Sequence, residues 1–197
     1  MSDALPHVET VPTLRSARLL LRSVTLADEP AVREMCSDHD SARGTCSIPH
    51  PYPEDAAKAW ILKMAEGLEK GDRFAWVITM AKTGDFLGTT MLEIDKGNMR
   101  AEIGYVISKA HRGKGYASEA AACVVNWGLN SLGLQRVFGL CFGWNDASAR
   151  VMENAGMSRE GVHRRHILKW GRFEDAVHFG ALKGEWTPPP QFALEKP

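Results

Sequence analysis

Three consecutive stretches constrain this chain more than any other feature. They are an apolar run from Ala101 to Ile107, the basic segment Arg112-Gly113-Lys114-Gly115-Tyr116-Ala117, and an alanine-rich stretch from Ser118 to Asn130. In that order they read as strand, glycine-bearing loop and helix. A helix N-terminus offers backbone N–H groups with no intrahelical acceptor, and the aligned peptide dipoles add partial positive charge. Gly113 and Gly115 carry no Cβ, so a pyrophosphate can approach the main chain there. Arg112 and Lys114 add cationic charge, and Tyr116 and Ala117 begin the helix. Ala117, Ala121, Val124, Val125 and Leu129 recur at helical spacing, and the small alanines permit close packing on a sheet. The competing reading of the loop is a tight strand-to-helix turn with solvated charges.

Other phosphate loops fit less well. A Walker loop needs Ser or Thr after its Gly-Lys pair to hold Mg²⁺, and this loop carries Tyr116 there. The dinucleotide fingerprint matches Gly113 and Gly115 but meets Ser118 where its last glycine belongs. What remains is R-x-x-G-x-A after a strand.

The chain of 197 residues suits one domain, and its 44% apolar and 24% charged residues are ordinary for a globular protein. A formal net charge of zero gives no general attraction to nucleic acid. No apolar run approaches a membrane-spanning length, and the N-terminal residues lack the apolar centre of a signal peptide. The expected location is therefore the cytoplasm. Cys36, Cys46, Cys123 and Cys141 form no C-x-x-C pair and have no histidines at ligand spacing, so no metal site is expected. Cys123 and Cys141 lie in apolar segments and read as buried thiols.

Along the chain, residues 1–13 read as a flexible arm and Arg18 to Val24 as a strand. A helix follows from Thr25–Glu29 to about Asp38, with Asp28 as a capping candidate and Pro30 in its first turn. His39 to Pro53 reads as a loop, because Gly44, Pro49, Pro51 and Pro53 leave no helical period. A second helix runs from Pro53-Glu54-Asp55 to about Lys70. Phe74 to Met80, Phe86 to Ile94 and Ala101 to Ile107 form a meander. After the loop and the alanine-rich helix come a strand, Arg136 to Phe142, and a short helix, Ala147 to Ala155, capped by Asn145 or Asp146. A hairpin turns at Trp170-Gly171, and residues 187–197 form a proline-rich tail. The prediction is one α/β (α+β) domain with a central, mixed, mostly antiparallel sheet flanked by helices.

This order of elements, with the loop after the fourth strand, resembles the GNAT N-acetyltransferase superfamily, whose acyl-coenzyme A pyrophosphate loop has the pattern Q/R-x-x-G-x-G/A. Further stretches resemble its RimJ/RimL-like branch of protein N-terminal acetyltransferases. They are Leu19-Leu20-Leu21-Arg22, Ala101-Glu102-Ile103-Gly104-Tyr105, the segment Asn145 to Met157, and Trp170 to Asp175 followed by Glu185-Trp186. Met157 stands where the branch usually has Phe. The matches span Leu14 to Trp186 and imply one acetyltransferase domain over residues 14–186.

The resemblance implies acetyl-CoA as cosubstrate and no metal. Acetyl transfer to an amine needs a held donor, a polarised thioester carbonyl, a neutral attacking amine and a proton for the departing thiolate. By resemblance, the strand end Tyr105, Val106 and Ile107 splays from its neighbour and pairs with pantetheine, and Arg112 to Ala117 holds the pyrophosphate. Asn145 contacts the pantetheine arm, and Ser148 stands near the sulfur as proton donor. The plain alternative for Ser148 is a second helix cap. Glu102 is the candidate base; its alternative is a solvent-facing carboxylate beside a cation. Tyr105 reads as packing. Arg43 to Tyr52 is the expected acceptor loop, with Tyr52 and Trp60 as lining candidates, although core packing suits Trp60 better. His163, Arg164, Arg165 and His166 read as a solvated basic face, or as a site for an acidic acceptor or the adenosine phosphate. The acceptor is a primary amine, on a protein N-terminus or on a small molecule such as a polyamine, amino acid or antibiotic. A non-catalytic CoA-binding sensor is the reading from another class. The assembly expected is a monomer or homodimer.

Overall fold

The computed structural model describes residues 5–194. Residues 1–4 of the expected arm and 195–197 of the expected tail lie outside the described residues. In chain order the elements are β1 (Leu14–Arg15), β2 (Leu19–Ser23), α1 (Glu29–Ser37), α2 (His39–Gly44), α3 (Ala56–Lys70), β3 (Arg73–Met80), β4 (Phe86–Asp95) and β5 (Arg100–Ile107). After the phosphate-loop segment come α4 (Tyr116–Asn126), β6 (Arg136–Phe142), α5 (Asp146–Asn154), β7 (Ser158–Lys169) and β8 (Arg172–Leu182).

All eight strands join one sheet in the order β1-β2-β3-β4-β5-β6-β8-β7. Every pair is antiparallel except β5 with β6, so the sheet is mixed and mostly antiparallel, as predicted. Apolar side chains on alternate positions make its core. Phe74, Trp76 and Ile78 of β3 join Ala101 and Ile103 of β5 in the main cluster with α4. Ala75 and Val77 point to the other face and are also buried, which is why β3 reads as a continuous apolar run. Helix α4 is buried from Ser118 to Asn126 and is continued by a π-helical turn over Trp127–Ser131. Helices α1 and α3 pack on each other, with Val32, Met35, Cys36 and Ala57 as a second cluster.

One feature of the register positions the site. The β5–β6 ladder holds only Arg100↔Arg136, Ala101↔Val137 and Glu102↔Phe138. Beyond Glu102 the two strands part. On its other edge β5 stays paired with β4 to Ile107, so the opening lies on one side of the strand only.

Three local expectations need correction. The stretch from His39 is not loop throughout, because α2 forms with the Asp38 carboxylate accepting the Ser41 N–H at 3.1 Å. This is an N-cap, and it outweighs the nearby glycine and prolines for one turn and a half. Asp28 does not cap α1 with its side chain; it accepts from the Thr25 N–H and pairs with Arg22 at 2.6 Å. Finally, the segment ahead of β1 is not loose over its described part. Leu5, Val8 and Val11 lie against the core, and the Trp76 indole donates to the Pro12 carbonyl at 2.7 Å. At the other end, Phe192 is buried and its carbonyl accepts from the Ala17 N–H.

Candidate active site

The phosphate-loop residues wall a cleft of about 690 Å³ that runs between α4, α5, α2 and the free end of β5. Gly113 and Gly115 both take left-handed φ, 75° and 79°, a conformation that explains glycine at each. Gly115 is the N-cap of α4, and the Glu119 N–H donates to its carbonyl at 3.1 Å. The N–H groups of the turn before Glu119 therefore lie outside the helical ladder, at the cleft.

A side chain from the other end of the chain fixes this loop. Arg18 donates to the Lys114 carbonyl at 3.1 Å and to the Glu119 carboxylate at 2.7 Å. Glu119 is buried in the first turn of α4 and also accepts from the Ser16 hydroxyl at 2.7 Å. Nothing in the local sequence reveals this pair, because its members are 101 positions apart.

Arg112 is placed differently from the expectation. Its guanidinium does not stand free as a phosphate cation: it donates to Asp38 at 2.6 Å, to the Ser41 hydroxyl at 2.7 Å and to the Ile107 carbonyl at 3.1 Å. Burial works against the Asp38 charge, but the bonds from Arg112 and the Ser41 N–H, with Lys109 nearby, outweigh it and hold its pKa below the usual range. Arg112 thus ties α2 to the loop and to the free end of β5. Lys114 is exposed and donates to the Ala110 carbonyl at 3.0 Å.

At the inner end of the cleft, Asn145 caps α5. Its side-chain oxygen accepts the Ser148 N–H at 3.1 Å, and its amide donates to the Gly44 carbonyl at 3.3 Å. The Ser148 hydroxyl is therefore not a second cap. It shares a 2.8 Å hydrogen bond with the Tyr105 hydroxyl, which also donates to the Ser148 carbonyl at 3.1 Å. Tyr105 thus combines packing with a hydroxyl at the site. Burial raises its pKa strongly, in spite of the Ser148 bond, so it holds its proton through neutral pH.

A second cavity, about 520 Å³, adjoins the same strand end. Cys46, Ile48, Tyr52, Trp60, Glu93 and Glu102 are among its walls. The expected acceptor loop is thus divided: Arg43 borders only the first cleft, Gly44 and Thr45 border both, and Cys46 to Pro49 with Tyr52 border only the second. Trp60 does both jobs considered for it, lining the cavity and packing on the α1–α3 cluster, and Tyr52, expected only as lining, packs there too. The two spaces share Tyr105, Val106 and Ser148, where β5 and β6 have parted. Glu102 faces Glu93 across the β4–β5 ladder. The side chain is exposed to the cavity, yet the surrounding walls displace water; this desolvation, and then the Glu93 charge, raise the Glu102 pKa.

Sequence reasoning missed Glu93, Arg18, Glu119 and α2. The spacing of Asp38 and Ser41 as a cap was a usable signal for α2. His163 and His166 border neither cavity.

Residues 18–158 match the acetyltransferase (GNAT) domain family. The chain belongs to the GNAT family. Among curated relatives of this GNAT N-acetyltransferase, uncharacterized N-acetyltransferase YnaD of Bacillus subtilis is 32% identical over 176 residues, covering 88% of this chain and 99% of YnaD. Among solved structures, a GNAT-family acetyltransferase from Bacillus anthracis superposes with a TM-score of 0.79 at 26% identity, covering 88% of this chain and all of that one. RimJ of Mycobacterium smegmatis, solved in complex with CoA-disulfide, shares the fold with a TM-score of 0.79 at 19% identity and covers 90% of each chain. Among the described residues, no helix of this GNAT protein is long and apolar enough to cross a membrane.

Proposed function

We propose that this enzyme transfers the acetyl group of acetyl-CoA to a primary amine by direct attack within a ternary complex. The observation that carries the reading is the meeting of two cavities at the parted end of β5, one under a helix N-terminus and one lined by two carboxylates. In the first, the main-chain N–H groups of the turn from Gly113 to Ser118 hold the pyrophosphate. Gly113 gives open space there, since a Cβ on it meets nothing within 4 Å. Tyr105, Val106 and Ile107 present main chain to the pantetheine amides in place of the missing β6 partner. Asn145 shapes this wall.

Glu93 of the second cavity is paired with Arg73 at 2.6 Å, and Glu102 attracts the cationic acceptor and takes the ammonium proton. Its raised pKa makes it a better base near neutrality. The neutral amine attacks the thioester carbon, the C–N bond forms, the nitrogen releases its second proton to solvent and the C–S bond breaks. The thiolate takes a proton from the Ser148–Tyr105 hydroxyl pair, which solvent restores. The ribosomal-protein-S5-alanine acetyltransferase of Vibrio fischeri and RimL, a ribosomal L7/L12 alpha-N-protein acetyltransferase, share the fold and direct the first acceptor tests to protein amines.

The test is calorimetric titration of the full chain with acetyl-CoA, followed by thiol release with peptides bearing free N-termini, polyamines, amino acids and aminoglycosides. Binding, with thiol release that depends on an amine, is the expected result. No binding at about millimolar donor, far weaker than a working cosubstrate site, overturns the reading. Binding with no release by any amine supports the CoA-sensor alternative instead.

A further inference from the structure

The outer hairpin carries histidines that the acetyl-transfer reading does not use. His163 and His166 lie three positions apart on β7, so in a regular strand they would point to opposite faces. The strand is not regular there. His163 pairs with Ala176 and Ile167 with Glu174, so four residue steps on β7 oppose two on β8. Within this bulge Arg165 has φ 52°, and its N–H is held by the Asp175 carboxylate at 2.7 Å. The irregularity turns His166 back toward His163, with ring centroids 5.1 Å apart. From β8, His178 stands 4.1 Å from the His163 ring and 5.5 Å from the His166 ring. One nitrogen from each imidazole lies within 4.8 Å of the other two.

We propose that His163, His166 and His178 form a site for a divalent transition metal, zinc being the ion best suited to it. Three imidazoles with a fourth position open to solvent are a ligand set for zinc, and for copper or nickel. Tetrahedral bonds of about 2.0–2.1 Å place ligand nitrogens roughly 3.3 Å apart. Rotation of the two exposed rings, His163 and His166, closes the remaining gap. A second, independent observation points to a missing partner: Nε2 of His178 is shielded from solvent and has no hydrogen bond among the described residues. Buried polar nitrogens are normally satisfied. The nearby cation Arg136 is already paired with Glu160, so its charge is largely balanced. The bulge itself gains a reason, since bulges re-aim side chains.

In the sheet, His178 lies beside Leu140 of β6, and Leu140 borders the amine-side cavity. A metal bridging β7 and β8 would therefore stiffen the hairpin whose tip bounds that side. At the tip, the Lys169 ammonium donates to the Ile48 carbonyl at 2.9 Å, and Trp170 sits against His39 and His50.

The experiment uses chelator-treated full-length protein, titrated with Zn²⁺ against a chromophoric chelator and, in parallel, with Co²⁺ followed by its visible spectrum. One equivalent should bind, with a Co²⁺ spectrum lacking sulfur charge-transfer bands and a rise in the unfolding midpoint. His163→Ala and His166→Ala, both at exposed positions, should each weaken binding at least tenfold, the order of loss that even outer-shell changes produce. Their circular dichroism and acetyl-CoA affinity should be unchanged. Three results overturn the proposal: affinity weaker than about 100 µM, affinity in both variants unchanged from the native chain, or a sulfur-ligated Co²⁺ spectrum that survives them and assigns the ion to Cys46. None of these readouts depends on acetyl transfer.

Discussion

The two cavities that meet at the end of β5 are built from different materials. The cleft proposed for the donor offers main chain at two glycines with positive φ, at the first turn of α4 and at a strand end without its partner. The amine-side cavity is made of side chains drawn from β4, β5, α3, β6 and the segment after α2. Main chain has the same chemistry in any sequence, so a backbone site tolerates wide change in its surroundings as long as its turns are kept. A side-chain site changes with each substitution. One surface is thus suited to a fixed ligand and the other to a variable one.

If that contrast is correct, the largest effect comes from closing the backbone site. Gly115→Trp adds a side chain at φ 79°, where even a Cβ would lie 3.4 Å from Arg18. Acetyl-CoA binding should fall below calorimetric detection while circular dichroism stays native; undiminished affinity would remove the loop from the donor site. Next comes a side-chain effect. Glu102→Gln should lower kcat about a hundredfold, the usual scale for a lost general base, and leave donor affinity intact. The pH profile gives the sign: Glu102 must be ionised to accept a proton, so the native rate falls as pH drops through its raised pKa. Glu102→Gln should lose that acidic limb, and a limb retained in the variant would eliminate Glu102 as base.

Smaller effects sharpen the boundary between the two regions. Tyr105→Phe removes one hydroxyl from the Ser148 pair and should reduce kcat about tenfold, near the net worth of one hydrogen bond, with acetyl-CoA affinity unchanged. A loss confined to KM would make Tyr105 a packing residue only. The smallest effect belongs to Asp38→Ala. It removes a helix cap worth about 1 kcal/mol and releases Arg112, so the unfolding midpoint should drop. Because the Asp38 pKa is depressed in the folded state, its stabilisation is present above the unfolded carboxylate pKa and fades as pH falls through the folded value. The difference between Asp38→Ala and the native chain should therefore shrink in acid; a constant difference would leave only the cap.

The same contrast explains what could be read from the sequence. The strand–loop–helix unit was legible because glycine spacing, a preceding apolar run and an alanine-rich helix are all local. The meander and the terminal hairpin followed from alternation and turn residues, and the strands β3, β4, β5 and β6 fall close to their predicted limits. The pairing of Glu93 with Glu102 depends on the register of β4 against β5, which the type of the turn at Lys96–Asn98 fixes, and that type was not read from the sequence. Arg112 read as a free cation because its partner, Asp38, is 74 positions away. Helix α2 was hidden by prolines that come after it, not within it. That His163 and His166 are exposed, as read, yet stand on one face of β7 was not legible, because a bulge is invisible in a pattern of alternation.

Arg18 joins the first full strand of the sheet to the loop that α4 begins, across about half the chain. That span has a consequence for the order of folding. Contacts between distant segments close late, because their loop entropy must be met before they stabilise anything. The donor cleft acquires its final shape only when the N-terminal strand and α4 are both seated. Donor binding in a refolding chain should thus lag behind helix formation, as a signal that the two halves of the sequence have found each other.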